Sequence, residues 1–275
     1  MAWLSEPASE TQITHARRLW LYVLAVLVMA FLVAPTLIVI PMSFSDSQYL
    51  EFPPETWSLR WYESYFNSFE WMRATGTSFK AGFLTMLVAT PLGTAAAYGL
   101  HVSRLRYVGL TFLLLMTPMV VPVILVAIGV FYAYVKLGLV NTLTGLGLAP
   151  SILAVPLVVI IVSAALKSYD MNQERVARSL GASRLAAFLL VTLPQIRFAV
   201  ITSALLSFLT SFDEVIIALF VSGAENATLT RNMFNALRDQ IDPTIAAIST
   251  IMIVVSSVLL AAAQFLGRGK DGGGR

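Results

Sequence analysis

The feature that most limits the fold of this chain is a series of long apolar runs separated by short polar segments. A helix of about 20 apolar residues is long enough to cross the hydrocarbon core of a bilayer. Because a backbone in hydrocarbon must satisfy its own hydrogen bonds, such runs predict helices. Six runs are present, at about 19–42, 75–100, 108–135, 151–166, 195–221 and 244–266. The sequence therefore predicts an all-α polytopic membrane protein with six transmembrane helices.

Composition agrees with this class. Of the 275 residues, 57% are hydrophobic and 12% are charged, whereas soluble domains carry roughly 25% charged residues. The chain has no cysteine, which excludes disulfides and thiolate chemistry, and no histidine cluster predicts a metal site. The third run contains Pro118 and Pro122, and prolines inside a helix predict a kink or a break there.

The placement of lysine and arginine predicts the orientation in the membrane. With both termini cytoplasmic, 12 of the 18 basic residues lie inside and six lie outside, which follows the positive-inside rule. This orientation makes 1–18 a cytoplasmic segment, 19–266 the transmembrane domain, 43–72 an external loop and 267–275 a flexible cytoplasmic tail. The net positive charge of the chain is then explained by its orientation in a lipid bilayer. It does not indicate binding to nucleic acid.

Aromatic residues recur at near-helical spacing in the external loop. Two interpretations stay open. The segment is a helix lying in the membrane interface, where aromatic rings are enriched, or it is a landing surface for an external partner. The aromatic residues are Trp57, Trp61, Tyr62, Tyr65, Phe66, Phe69 and Trp71.

One polar segment, 173–194, interrupts the apolar runs with a cluster of charges. Such charges predict that the segment lies outside the bilayer, as a cytoplasmic loop that docks on a soluble partner. An ordinary interfacial hairpin is the alternative. The charged residues are Glu174, Arg175, Arg178 and Arg184, with Arg197 just beyond.

The same segment carries start and stop signals for two short helices. Asp170 is suited to cap a helix over about 171–180, and Gly181 fits the left-handed position that ends it. Ser183 can cap a second helix that ends near Val191. Pro194 then stands where a new transmembrane helix can begin.

These residues resemble the EAA loop of permease subunits of type I bacterial ABC importers. That pattern is Glu-Ala-Ala, a glycine four residues after the last alanine, and a later Leu-Pro. Two positions depart from it, because Arg175 replaces the glutamate and Val176 replaces the first alanine; Glu174 lies one residue earlier. The matching residues are Ala177, Gly181, Ala182, Ser183, Phe188, Leu193 and Pro194. Two further segments, 211–223 and 238–250, resemble the spermidine/putrescine branch of these permeases.

The resemblance implies the type I importer permease fold and a multi-subunit assembly in the bacterial inner membrane. A second, non-identical permease subunit completes the pathway, two cytoplasmic ATPase subunits bind ATP and Mg²⁺, and a periplasmic binding protein delivers the substrate. This chain has no G-x-x-x-x-G-K-[ST] loop, so it is expected to be neither an enzyme nor a cofactor-binding subunit. Its coupling residues are expected to be Glu174, Arg175, Ala177, Arg178, Gly181, Ala182, Ser183, Leu193 and Pro194.

Two acids in the fifth run, Asp213 and Glu214, are candidates for the substrate pathway, because ionisable residues at such depth usually face a cavity or a partner. Helical spacing places Ser203, Ser207, Thr210 or Ser211, and Glu214 on one face, with Asp213 about a quarter-turn away. This polar stripe suits a cation, and Phe212 can add a cation–π contact. The alternative is a structural ion pair of either acid with Lys80 or Arg231.

The sequence therefore predicts the permease subunit of an ATP-driven polyamine importer. Two alternatives stay open. One is the same architecture with another small solute, such as an amino acid, an opine or a phosphonate. The other is a proton-coupled secondary transporter, which can also use intramembrane carboxylates.

Overall fold

The computed structural model describes residues 15–103, 106–239 and 242–268. Among these residues, an isolated antiparallel bridge between Ser45 and Trp57 is the only strand-like pairing, which confirms the all-α class. A 3-10 turn, His15–Arg18, precedes the first helix. The helices are α1 Leu19–Met42, α2 Arg60–Asn67, α3 Phe69–Val102, α4 Val108–Val120, α5 Val123–Leu137, α6 Leu143–Ser168, α7 Asn172–Ser179, α8 Arg184–Ala187, α9 Leu193–Gln195, α10 Arg197–Phe212, α11 Ile216–Val221, α12 Leu229–Asp239 and α13 Thr244–Arg268.

Four helices, α1, α3, α6 and α13, are each long and apolar enough to cross a membrane. The third predicted span is bent, because α4 and α5 meet at 97°. The fifth predicted run, 195–221, is divided into α10 and α11, and the helical stretch Arg184–Gln195 that precedes α10 meets it at 81°. The count reaches the predicted six when each bent pair is taken as one span.

The third span breaks where its prolines predict a break. Val121 has an extended backbone with ψ 133°, and Pro122 directly precedes α5. Proline has no N–H to donate and disfavours the helical conformation of the residue before it. For both reasons α4 ends at Val120.

The predicted starts of the second and fourth spans are too late. The α3 helix begins at Phe69, because the Ser68 side chain accepts a first-turn N–H. The α6 helix begins at Leu143, because the Thr142 side chain caps it in the same way. Apolar character alone missed these first turns, which contain Glu70 and Arg73 in α3 and Gly145 and Gly147 in α6.

The described chain divides into two compact units. The first unit contains the residues up to Tyr65 and the part of α13 that ends at Ile253. The second unit begins at Phe66 and also contains the part of α13 that begins at Val254. In the first unit, no residue of α1 is buried.

The segment between α1 and α2 in the first unit folds back on itself. The Ser43 and Tyr62 hydroxyls lie 2.7 Å apart, the Ser58 N–H donates to the Phe44 carbonyl at 2.7 Å, and the Phe44 and Tyr62 ring centroids are 5.2 Å apart. Helix α2 covers only part of the segment, and the aromatic residues from Phe69 onward belong to α3. The interpretation as one interfacial helix is therefore wrong, whereas the landing surface stays a prediction.

In the second unit, α3, α6 and α10 pack against one another through a seam of small side chains. Small residues let helix backbones approach closely in membrane proteins. The buried α3 residues recur at helical intervals on one face; they are Ala74, Thr77, Ser78, Ala81, Gly82, Thr85, Ala89, Gly93, Thr94 and Ala97.

Two contacts show how closely α3 and α6 approach. A Cβ atom on Gly93 would lie 2.5 Å from the Val158 Cβ, which is closer than non-bonded carbons allow. The buried Thr85 hydroxyl donates to the Gly147 carbonyl at 2.7 Å. The seam therefore depends on residues with little or no side chain on the α3 face.

Gly93→Ala is expected to destabilise the protein by about 1–3 kcal/mol, because the added methyl group forces Val158 or the helix to move. Gly99→Ala in the same helix is the matched control, since no atom lies within 4 Å of a Cβ there, and it is expected to be neutral or to stabilise by about 1 kcal/mol. The measurement is the apparent unfolding temperature in one detergent. Equal unfolding temperatures for the two variants would contradict the close approach at Gly93.

Candidate functional site

The polar loop between α6 and α10 begins with a short helix, α7. The Asn172 N–H donates to the Asp170 carboxylate at 3.0 Å. Helix α7 starts at Asn172, one residue later than predicted, and Met171 is its N-cap residue. The Asp170 side chain thus supports the first turn, although it is not the N-cap.

Gly181 ends this helix in the predicted left-handed conformation, with φ +97°. The Ala182 N–H donates to the Ala177 carbonyl and the Gly181 N–H donates to the Arg178 carbonyl, both at 3.1 Å. This pair of bonds defines a Schellman motif, which satisfies carbonyls at a helix end. Glycine is suited to this position because a side chain strains a positive φ.

The second limb of the loop starts as predicted but ends differently. The Ser183 hydroxyl accepts the Ala186 N–H at 3.2 Å and caps α8. The helix then passes through a π-helical turn, Phe188–Thr192, and continues through Leu193 and Pro194. The prediction that it ends near Val191 is wrong. The wide turn accommodates the proline, and the chain bends instead at Ile196.

Glu174 is buried, with 3% of its surface exposed, although the sequence suggested it as the acid of a docking surface. Its Oε1 accepts the Tyr98 hydroxyl at 2.6 Å, and its Oε2 accepts the Thr192 hydroxyl at 2.7 Å. A buried carboxylate is costly unless its oxygens are hydrogen-bonded, and here each oxygen has a donor. Glu174 therefore binds inside the chain, which corrects its placement among the surface residues.

Sequence reasoning missed Tyr98 and Thr192. Tyr98 lies near the end of a long span, where a tyrosine is typical of the membrane interface. Thr192 lies in an apolar stretch that gives no sign of a π-helical turn. Only the folded chain brings the two hydroxyls to the same carboxylate.

The arginines of the loop remain at its surface. Arg175, Arg178 and Arg184 are exposed, and together with Glu174 and His101 they line a cavity of about 610 Å³. The loop surface is thus cationic beside this cavity.

The same loop also exposes large apolar side chains. Leu180 directly precedes the glycine turn and is 83% exposed, and Val176 and Leu185 are exposed beside it in the sequence. Exposed apolar groups rimmed by charges are typical of a protein interaction surface.

The predicted polar stripe of the fifth span does not line a passage through this chain. Ser203, Ser207 and Ser211 are buried in α10, which packs on α3 and α6. The Ser203, Ser207 and Thr210 hydroxyls donate to carbonyls of their own helix at 2.8–2.9 Å. The predicted stripe is therefore wrong, since these serines face the packed interior.

Phe212 and Glu214 also lie elsewhere than predicted. Phe212 is buried and stacks on Phe208 with ring centroids 5.5 Å apart, so it offers no face to a cation. Helix α10 ends at Phe212, and the Glu214 carboxylate accepts the Ile217 N–H at 3.0 Å in the first turn of α11. Because the helix is broken at 213–215, helical spacing cannot place Glu214 on the face of Ser207.

Asp213 caps the end of α10 and is exposed. Among the residues that the structure describes, neither Asp213 nor Glu214 has a basic group within 4.0 Å. Arg231 instead donates to the Ser222 hydroxyl at 2.6 Å, and burial lowers the pKa of its guanidinium. The ion-pair alternative is therefore wrong for the described residues, and Asp213 is the acid that remains open to a ligand.

The family described as "Binding-protein-dependent transport system inner membrane component" matches residues 89–271. The spermidine/putrescine transport system permease protein PotC of Haemophilus influenzae is 29% identical over 246 residues, which cover 88% of this chain and 93% of PotC. The putrescine transport system permease protein PotI of Escherichia coli K12 is 30% identical over 241 residues, 85% of each chain.

A solved structure extends the likeness to the fold. The crystal structure of a bacterial ABC transporter involved in the import of the acidic polysaccharide alginate contains a chain with a TM-score of 0.71 and 15% identity, covering 93% of this chain and 97% of that chain. Because the family match spans most of the sequence and the permease relatives align along nearly its whole length, this chain belongs to the family of binding-protein-dependent transport system inner membrane components.

Proposed function

We propose that this chain forms half of the membrane pathway of an ATP-driven polyamine importer. The observation that carries the proposal is its similarity, over 85% or more of both sequences, to permease proteins named for spermidine and putrescine transport. Membership of a binding-protein-dependent family argues against a proton-coupled secondary transporter. Import of an amino acid, an opine or a phosphonate by the same architecture is an outcome of the test below.

The proposed assembly has four kinds of partner. They are a second, non-identical permease subunit, two cytoplasmic ATPase subunits that bind ATP and Mg²⁺, a periplasmic binding protein, and the lipid of a bacterial inner membrane. Both termini lie in the cytoplasm, 43–72 faces the periplasm up to the start of α3, and 169–193 faces the ATPase. The excess of basic residues on the coupling-loop side supports this orientation.

The coupling loop, 169–193, is proposed to dock on the ATPase through the turn at Leu180 and Gly181 rather than through Glu174. Leu180 and Gly181 form the tip of α7, Val176 and Leu185 extend the apolar surface, and Arg178 lies beside them. A short amphipathic helix with exposed apolar anchors fits a hydrophobic groove on a partner. Arg175, Ala182 and Ser183 shape or flank this tip, and Leu193 and Pro194 lead back to the membrane.

Asp213 is proposed as the polyamine contact. Its carboxylate is exposed at a break between two helices of the bundle, where a sister permease can complete a passage. A carboxylate attracts a protonated amine more strongly where water is scarce. Ser207, Thr210, Ser211 and Phe212 are proposed to hold α10 in the bundle, and Glu214 is proposed to hold the start of α11.

The experiment that tests the function is ATP hydrolysis by the whole complex in lipid. The complex is assayed with its binding protein against spermidine, putrescine and a panel of amino acids, opines and phosphonates. The proposal expects stimulation by a polyamine and little by the other solutes. Stimulation by another solute alone would keep the importer and refute the polyamine.

Leu180→Asp is expected to reduce recovery of the ATPase subunits with the permease about tenfold, because a charged side chain replaces an apolar anchor in a desolvated groove. Leu180→Met keeps an apolar side chain of similar volume and is the matched control. Recovery is measured by affinity purification through the permease. Undiminished recovery with Leu180→Asp would show that the tip of α7 is not the docking surface.

Asp213→Asn is expected to lower uptake at low polyamine concentration about tenfold, which corresponds to about 1.4 kcal/mol of lost binding. The cause is the loss of the charge that attracts the amine. Asp213→Glu retains the charge and serves as the control, and Glu214→Gln retains an oxygen for the Ile217 N–H and should have a smaller effect. Initial uptake rates in proteoliposomes measure the difference, and an unaltered rate for Asp213→Asn would remove Asp213 from the pathway.

A further inference from the structure

We propose that Glu174 is a positioning residue whose carboxylate, bridging Tyr98 and Thr192, transmits movement of the coupling helix to the membrane helices. The proposal rests on the proposed function, because it assigns a part of the coupling between ATP hydrolysis and transport. It assigns roles to two residues, Tyr98 and Thr192, that lie outside the EAA-like pattern.

The bridge joins three segments that are distant in sequence. Glu174 lies in α7, Tyr98 lies near the end of α3, and Thr192 lies at the end of the π-helical turn that leads to α10. The two oxygen–oxygen distances, 2.6 Å and 2.7 Å, are typical of strong hydrogen bonds from hydroxyls to an ionised carboxylate. A displacement of α7 must therefore either move the two partner segments or break these bonds.

A ring contact strengthens the tie to α3. The Tyr98 and Phe188 ring centroids lie 4.5 Å apart, which is close enough for a favourable aromatic pair. Tyr98 thus contacts both limbs of the loop, the first through Glu174 and the second through Phe188. The two limbs are held together against one point on α3.

The π-helical turn explains how Thr192 reaches the carboxylate. A π turn inserts one residue into a helix, which rotates every following side chain by about 100° relative to a regular helix. Thr192, the last residue of the turn, is fully buried. Without the inserted residue, its hydroxyl would face a different direction from Glu174.

The same geometry argues against a direct contact between Glu174 and an ATPase subunit. The side chain is buried and both of its oxygens accept hydrogen bonds within the chain. The loop presents arginines and apolar side chains to a partner instead. Glu174 can therefore act on the partner only through the shape and position of the loop.

The test measures the number of ATP molecules hydrolysed per polyamine imported, using the complete complex in lipid with its binding protein. Tyr98→Phe and Thr192→Val each remove one hydroxyl, and each is expected to raise this ratio about threefold to tenfold while the ATPase subunits remain bound. Glu174→Ala is expected to raise it at least as much. Glu174→Gln, which can accept from Tyr98 and donate to Thr192, is expected to restore a ratio near that of the wild type.

Two comparisons separate this role from a general loss of structure. Tyr132→Phe removes a hydroxyl from an exposed tyrosine of α5 and is expected to leave the ratio unchanged. Tyr98→Phe added to Glu174→Ala is expected to have no further effect, because the bond is already absent. Additive effects, or loss of the ATPase subunits in parallel with transport, would overturn the proposal.

A second measurement does not depend on the transported solute. Because the chain has no cysteine, spin labels can be placed on Ser179→Cys in α7 and Leu92→Cys in α3, both at exposed positions. The distance between the labels is expected to be narrowly distributed in the wild type and broadened by Glu174→Ala, in the presence and absence of ATP. Identical distance distributions would refute the proposed role of the Glu174 bridge. Failure of every polyamine to stimulate ATP hydrolysis by the wild-type complex would refute only the proposed function.

Discussion

The close approach of α3 to α6 is the constraint on which the second unit of this permease depends. Gly93 lies against Val158 and the Thr85 hydroxyl bonds the Gly147 carbonyl, so the two backbones are held at a distance that larger residues would prevent. Helix α10 packs against both partners. The same face of α3 continues to Ala97, next to Tyr98, whose hydroxyl donates to Glu174 of the loop between α6 and α10. The loop is thus bonded to the same helix that forms the seam.

The loop itself combines a rigid interior with an exposed surface. Its interior contains a Schellman turn at Gly181 and a carboxylate with a donor for each oxygen, so its two limbs are fixed relative to each other. Its surface contains Leu180 and the arginines, which are available to a partner. This division suits the proposed coupling role, in which force from a partner passes through the loop without deforming it.

The sequence predicted features that depend on local chemistry. Gly181 and Ser183 have backbone roles that neighbouring residues determine, and both predictions are confirmed. The break at Pro122 follows from the missing N–H and the restricted residue before it. The family resemblance rested on the same local pattern, and the comparisons confirm it.

Features that depend on distant contacts could not be predicted. Nothing near Glu174 in the sequence indicates that Tyr98 and Thr192 enclose it. The serines of α10 have the spacing of a polar stripe, but spacing does not say whether that stripe faces water or another helix, and the structure places it against helices. The break after Phe212 has no proline or glycine to mark it in the sequence, so helical spacing places Glu214 on a face that the helix does not reach.

The most direct test of the account is the accessibility of the coupling turn in the assembled complex. A single cysteine replaces Leu180 in this cysteine-free chain, and a second variant carries Tyr49→Cys in the segment between α1 and α2 as the control. We expect a membrane-impermeant thiol reagent to label the cysteine at 180 in the isolated permease and to be blocked there once the ATPase subunits bind, while labelling at 49 does not change. Equal labelling at 180 with and without the ATPase subunits would contradict the claim that this loop couples the permease to its energy source.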